Sequence, residues 1–397
     1  MVPAPLPSFA TRIAERLAAR GIRSAVVGRL TWSALGALPR SPGSLREARL
    51  LCEMRADALH RLPDAVCLGP GGPVWIATRE GCVEVRAAGE RPLEEALRAA
   101  PFRVLGVAID PLDAELLDPV GGRADLEEAR LGLGPEARPG LGPRAALAGA
   151  RLCAELGLRA EEETLAALRS AAPALAERGS VVRHELEALL LAPAPARGLD
   201  ALRRSGLEAV LAPGVGVHAG ELVERAPATV SWRFAAWLLG TPAASILATL
   251  RTPRDRARWI EAVVALHPIE RTLPPREAAC RRAVRRLGSP VALRTLAGLR
   301  RLELALAGRG GLERSWEERF AQALAALERG PEARLVWSGR EVMEVLELDP
   351  GPEVGRVLAF LRERVARDPS INTPEGLRSC LEAWRASTPA GGGPHSG

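Results

Sequence analysis

The sequence predicts an α+β protein: a small mixed-sheet head followed by an all-helical neck, body and tail. Two observations carry this. Residues 1 to about 113 contain short runs of β-forming residues separated by turn signals. From about Leu126 onward, apolar residues recur every three or four positions almost without interruption.

In the head, Thr11 to Arg20 is read as an amphipathic helix stopped by Gly21, and Ser24 to Gly28 as a short apolar strand. Arg46 to Leu62 shows a helical period. Ala65 to Leu68, Pro73 to Thr78 and Cys82 to Ala87 are read as strands parted by Gly69-Pro70-Gly71-Gly72 and Glu80-Gly81. Arg103 to Ile109 is expected to be a further strand. Beyond the head, Leu147, Ala150, Arg151 and Ala154 and the Leu-rich stretch Leu186 to Leu191 follow the helical spacing. Pro193-Ala194-Pro195, Ala212-Pro213-Gly214 and Pro274-Pro275 separate helices. The expected division is a head over 1–125, a neck over 126–195, a body over 196–272, a tail over 273–386 and a disordered C-terminus over 387–397.

Composition narrows the function. The 397 residues include 54 basic and 48 acidic side chains, for a net charge of +6. There is no Lys, so every basic side chain is Arg. A GC-rich coding bias accounts for that most simply. Arg nonetheless forks onto phosphates and stacks on bases better than Lys. The charge permits nucleic-acid binding without requiring it. No apolar run reaches 18 residues, and the start lacks a basic tip followed by an apolar core, so a cytoplasmic protein with no membrane partner is expected. The six cysteines form no CxxC pair, and the five histidines have no zinc-ligand spacing. The cysteines are read as small buried hydrophobes in a reducing compartment.

Three ordered stretches carry a resemblance. LLDPVGGRADLEEARL (Leu116 to Leu131), with ARLCAELGLRAEEETLAALRSAAPAL (Ala150 to Leu175), pairs a turn opened by Asp118-Pro119 and Gly121-Gly122 with a neck helix. SVVRHELEALLLAPAPARGLDALRRSGLEAVLAP (Ser180 to Pro213) continues it. SGREVMEVLELDPGPEVGRVLAFLRERVARDPSINTPEGL (Ser338 to Leu377) contains a Pro350-Gly351-Pro352 connection, and Gly355 is expected to let the next helix approach closely. In order and spacing these blocks resemble the bacterial class II tRNA nucleotidyltransferase (CCA-adding) and poly(A) polymerase family. The resemblance implies a nucleotidyltransferase-like head and a tail that faces the tRNA elbow. Glu347 or Leu348 stands where the family usually has Gly.

The chemistry this resemblance implies needs two Mg²⁺ ions, hence carboxylates one residue apart on a strand and a third from a neighbouring strand. Alignment with the family places Arg46 and Ala48 at the paired positions, and no D-x-D, D-x-E or E-x-E occurs between Gly28 and Asp64. Glu84 is the surviving third carboxylate or, alternatively, a strand residue with a solvated charge. In the phosphate loop only Gly28 remains of two glycines, and Thr31-Trp32 replaces Arg-Asp. Trp32 either crowds a triphosphate or packs in the head. Ala99 to Leu105 replaces a segment that supplies two arginines, an aspartate and an asparagine. On the base-reading helix the aligned positions are Gly142, Ala145 and Ala148, with Arg151 retained. Leu239-Gly240 stands where some members carry a metal-binding His-Asp pair, so no phosphohydrolase is implied.

The expected function is therefore a catalytically inactive family member kept as a binder of tRNA or other structured RNA, with no cofactor. The alternatives are an active nucleotidyltransferase using Mg²⁺ through Glu47, Glu53 or Glu84, and a protein-interaction role without nucleic acid. The expected RNA-binding residues are Arg183, Arg282, Arg285, Arg286, Gly339, Arg340, Gly351, Gly355 and Arg356. A wider basic series runs through Arg271, Arg276, Arg281, Arg294, Arg300 and Arg301. Each arginine has the competing reading of a solvated or ion-paired helix face. Trp259, Trp316, Trp337 and Trp384 are read as core rather than as base-stacking platforms.

Overall fold

A computed structural model describes residues 3–38, 45–67, 72–137, 141–175, 179–328 and 335–387. The strands β1 (Ser24–Val27), β2 (Glu47–Cys52), β3 (Ala65–Cys67), β4 (Val74–Ala77), β5 (Cys82–Ala87), β6 (Ala108–Ile109) and β7 (Leu116–Leu117) form one sheet in the order β3-β4-β5-β2-β1-β6-β7. Only β2 and β5 pair in parallel; every other pairing is antiparallel, so the sheet is mixed.

Alternation along the central strands divides the head into two faces. Ala48, Leu50, Cys52, Val83 and Val85 point into a core with Phe9, Ile13 and Leu17 of helix α1 (Ser8–Ala18). Ala25, Ala108 and Leu117 pack on the other face with Leu93 and Leu97. Gly21 (φ 71°) ends the connection after α1, as its sequence position predicts.

Two head segments differ from expectation. Arg46 to Leu62 is not one helix: it is strand β2 followed by the short helix Ala56–Leu59. Ala, Leu and Arg favour helix in isolation, but pairing with β1 on one side and β5 on the other overrides that preference. Arg103 to Ile109 is a 3₁₀ turn, Arg103–Leu105, followed by the two-residue strand β6. Part of the expected turn around Gly69 to Gly71 and the C-terminal segment 388–397 lie outside the described residues.

Past the head the described chain is helical, apart from the short parallel pair β8 (Arg130–Leu131) and β9 (Arg159–Ala160). The breakers fall where they should. Pro195 opens Pro195–Arg204 from its first turn, and Gly214 (φ 88°) follows Leu207–Leu211. The chain packs as two compact units: Met1–Thr272 with Thr295–Gly311, and Leu273–Arg294 with Leu312–Gly397. In the second unit, Trp337, Val342, Val357, Leu361, Leu377 and Leu381 form a core.

The aromatic residues pack as the sequence reading expects. Trp259 meets Trp232 edge-on at 5.0 Å, Trp316 stacks on Phe320 at 4.6 Å, and Trp384 leans on Phe360 at 4.8 Å. All six cysteines are free of disulfides. Cys52 and Cys153 are fully enclosed, and burial pushes both thiols up to about 12.

Candidate functional site: a cleft beside the head sheet

Strand β1 ends at Gly28, whose φ of 76° and ψ of −139° no side chain adopts comfortably. The turn leads into the helix Arg29–Ala34. Thr31 donates its hydroxyl to the Val26 carbonyl at 2.7 Å, and Trp32 donates its indole N–H to the Val104 carbonyl at 2.9 Å. Trp32 is only 3% exposed, so it is a packed head residue as well as a wall of the adjoining cleft. That cleft, about 390 Å³, is lined by Arg29, Arg49 and Arg151 among polar groups and by Leu105, Leu191 and Pro193 among apolar ones.

The register of β2 corrects the alignment made from sequence. Ala48 is buried in the α1-facing core, and Arg46 precedes the strand and donates to the Glu80 carbonyl. In the parallel pairing, Glu47 stands beside Cys82 and Arg49 beside Glu84. Glu47 and Arg49, rather than Arg46 and Ala48, therefore share the sheet face of Glu84. The apolar alternation Ala48, Leu50, Cys52 within EARLLC was the available signal.

Glu84 is 3% exposed and is not a solvated strand residue. Its Oε2 accepts from Arg49 Nε at 2.8 Å and its Oε1 from Arg86 Nε. A buried carboxylate is stable when paired and hydrogen-bonded in this way. A two-magnesium centre would need several carboxylates open to the ions. Here the one buried carboxylate has a guanidinium on each oxygen. Among the described residues no three His, Cys, Asp or Glu side chains stand close enough to share a metal ion. The described residues of this face, Glu47 and the twice-paired Glu84, do not make up such a set.

The helix Pro143–Leu156 forms another side of the cleft. Gly142 is its N-cap, and Ala145 and Ala148 are partly exposed on it, without polar side-chain atoms to offer a base. Arg151 donates to Glu155 at 2.7 Å and to Glu185 at 3.0 Å. Arg29 meets the same Glu155 at 3.0 Å.

The Asp118-Pro119 turn performs the role its residues predict. Asp118 accepts from the Gly122 and Arg123 amides, and Gly121 has φ 76°. Gly122 is needed for close approach: a Cβ there would lie 2.0 Å from the Arg103 carbonyl oxygen. Asp125, fully buried, accepts from Arg103 twice, from Arg130 and from the Gly132 amide. Sequence reasoning missed Asp125, Arg49, Arg29 and Glu155.

The expected RNA-binding residues separate into two groups. Arg183 is turned inward: it pairs with Glu187 and donates to the Arg251 carbonyl, with a side chain only 15% exposed. Arg300 of the wider series is likewise taken by Glu270 and Glu303. Arg282, Arg285 and Arg286 are exposed on the helix Glu277–Leu287. In the second unit, Arg340 is exposed and pairs with Glu344, and Arg356 is exposed. Gly339 opens the helix Gly339–Leu346 behind a Ser338–Glu341 capping box. Gly351 precedes the helix Pro352–Arg367 with extended backbone. Gly355 does not serve close packing within the chain, because a Cβ there would meet open space. Leu239 and Gly240 follow the helix Val230–Trp237, and Arg233 of that helix caps the Leu190 and Ala192 carbonyls.

No family model matches the chain. It is 31% identical over 361 residues to the A-adding tRNA nucleotidyltransferase of Deinococcus radiodurans, covering 75% of this chain and 80% of that protein. It is also 31% identical over 300 residues to the CC-adding tRNA nucleotidyltransferase of Thermus thermophilus, covering 62% and 67%. Among solved structures, the Bacillus stearothermophilus CCA-adding enzyme in complex with CTP matches with a TM-score of 0.66 at 22% identity, over 95% of this chain and 97% of that one. The Thermotoga maritima CCA-adding enzyme complexed with tRNA matches with a TM-score of 0.64 at 15% identity, over 95% of each. These structural likenesses concern the fold; with the sequence identity to the Deinococcus protein, they place the chain in the tRNA nucleotidyltransferase (CCA-adding) and poly(A) polymerase family.

Proposed function

We propose that this chain binds tRNA without extending it. The observation that carries the reading is the closure of Glu84 by Arg49 and Arg86 on the sheet face beside the cleft. A guanidinium at that place repels a divalent ion and leaves nothing to activate a 3′ hydroxyl. Gly142, Ala145 and Ala148 add that base selection has no donors or acceptors on the neck helix. The curated relatives act on tRNA by name, and Arg282, Arg285 and Arg286 give the helix Glu277–Leu287 an exposed basic face suited to phosphates.

The test is incorporation of labelled CTP and ATP into tRNA lacking its 3′ end, with Mg²⁺, beside a gel shift at two salt concentrations. No incorporation is expected, with binding that weakens as salt rises. Replacing Arg282, Arg285 and Arg286 by Gln is expected to reduce the log–log salt slope by about two to three. Incorporation would overturn the reading. It would favour an active enzyme using Glu47, which shares the sheet face of Glu84. Neither incorporation nor salt-dependent binding would move the function to protein interaction.

A further inference from the structure

The cysteines are not all buried, as the sequence reading expects. Cys67 is exposed, whereas Cys52, Cys153 and Cys280 are buried and Cys82 and Cys380 half-buried. The Cys67 thiol has a base beside it. His60 Nδ1 stands 2.7 Å from Cys67 Sγ, and both side chains are open to solvent.

The chain builds this pair locally. The helix Ala56–Leu59 ends at His60, its C-cap. Asp64 then turns the backbone with φ 62°, and its carboxylate accepts from Arg16 of α1 at 2.9 Å. Strand β3 starts at Ala65, packed against the α1-facing core, and ends with Cys67 opposite Val74 of β4. The turn and the strand thus bring the thiol back to the imidazole. Because β3 is the outermost strand at its end of the sheet, a reagent can reach the sulfur from the side; Val66 next to it is 58% exposed.

A thiol within hydrogen-bond reach of an imidazole is the arrangement of an activated nucleophile. The enclosed cysteines are the opposite case. Burial pushes Cys52 and Cys153 up to about 12, and it comes first among the causes that raise Cys82 and Cys280. From the geometry at the sheet edge we propose that Cys67 is a modification site, which takes up a small thiol from a low-molecular-weight disulfide with His60 as the base. His60 Nδ1 accepts the Cys67 proton, in the tautomer that carries its own hydrogen on Nε2, as Sγ attacks one sulfur of R–S–S–R. A bond forms between Sγ and that sulfur, and the S–S bond of the reagent breaks. The departing thiolate takes the proton from the imidazolium and leaves as R–SH. Cys67 is oxidised to a mixed disulfide while the released sulfur is reduced, and an excess of thiol reverses the exchange.

The test treats the full chain with glutathione disulfide at about pH 7, follows the adduct by intact mass and locates it by peptide mapping. Cys67 is expected to be modified before any other cysteine, and Cys67→Ser to lose the first adduct. His60→Gln is expected to slow that adduct by about tenfold or more. His60 is exposed, so the variant is expected to melt with the native chain, and the difference in rate then reports the base. Absence of any adduct, modification of Cys82 or Cys380 ahead of Cys67, or a folded His60→Gln protein that reacts at the native rate would overturn the proposal.

Discussion

Glu303 accepts from His267 Nε2 at 2.7 Å and from Arg300 Nη1 at 2.8 Å, and Glu270 faces the same Arg300. The bond to His267 comes first among the causes that hold its carboxyl down at about 2, against an ordinary 4.5; the bond to Arg300 adds to it, and burial opposes both. A carboxyl depressed in the folded state stabilises the fold above its ordinary value. That contribution is lost as pH falls from 4.5 to about 2. Glu303→Gln is therefore expected to destabilise the protein at about pH 6 by roughly 1–2 kcal/mol and by much less near pH 2, after allowance for partial solvent screening. Urea midpoints at several pH values check this; a constant difference down to the acid limit would refute it. The ionisable groups of the head cleft were partly legible in sequence. Glu84 stood out as a carboxylate on a strand, and Arg86 stands two residues on in that strand, but its other guanidinium partner, Arg49, comes from a parallel pairing that no local pattern announces. Arg183 matched a family arginine, with pairing to Glu185 or Glu187 as the competing reading, and in the fold it pairs with Glu187.

At the scale of elements, the helices of the tail were read from their breakers, and one departure there has a measurable cost. Glu347 ends the helix Gly339–Leu346 with φ 55° and ψ 45°, a left-handed cap that favours Gly. The resemblance sets Gly at Glu347 or Leu348, and of the two it is Glu347 that has positive φ. Glu347→Gly is expected to raise stability by about 0.5–1 kcal/mol. A thermal melt that stays level or falls would count against the strain. Strand β2 marks the limit of such reading. In EARLLC the residues favour helix, and strand geometry is imposed by neighbours from elsewhere in the chain. Arg103 similarly looked like the start of a strand, but Asp125 grips its guanidinium and a 3₁₀ turn forms instead.

For the whole molecule, the order of a mixed sheet followed by helices was legible because the hydrophobic period changes once and then holds. The described residues contain no helix long and apolar enough to cross a membrane. The site was harder to read, since the cleft draws on the helix Arg29–Ala34, β2, the helix Pro143–Leu156 and the helix Gly179–Leu191, which only folding brings together.

The enclosure of Cys52 and Cys153 has a consequence in alkali. Proteins usually soften at high pH as lysines lose charge and tyrosines gain it, but this chain has neither residue. Its ion pairs rest on arginine and persist. The two buried thiols resist ionisation until about 12, whereas the unfolded chain ionises them near 9.0. The stability this lends is whole below 9.0 and drains away as pH climbs toward 12. Replacing both cysteines by Ala should flatten that decline in melts recorded across the interval, and an unaltered slope would show that other groups set it. Base, for this fold, acts through sulfur.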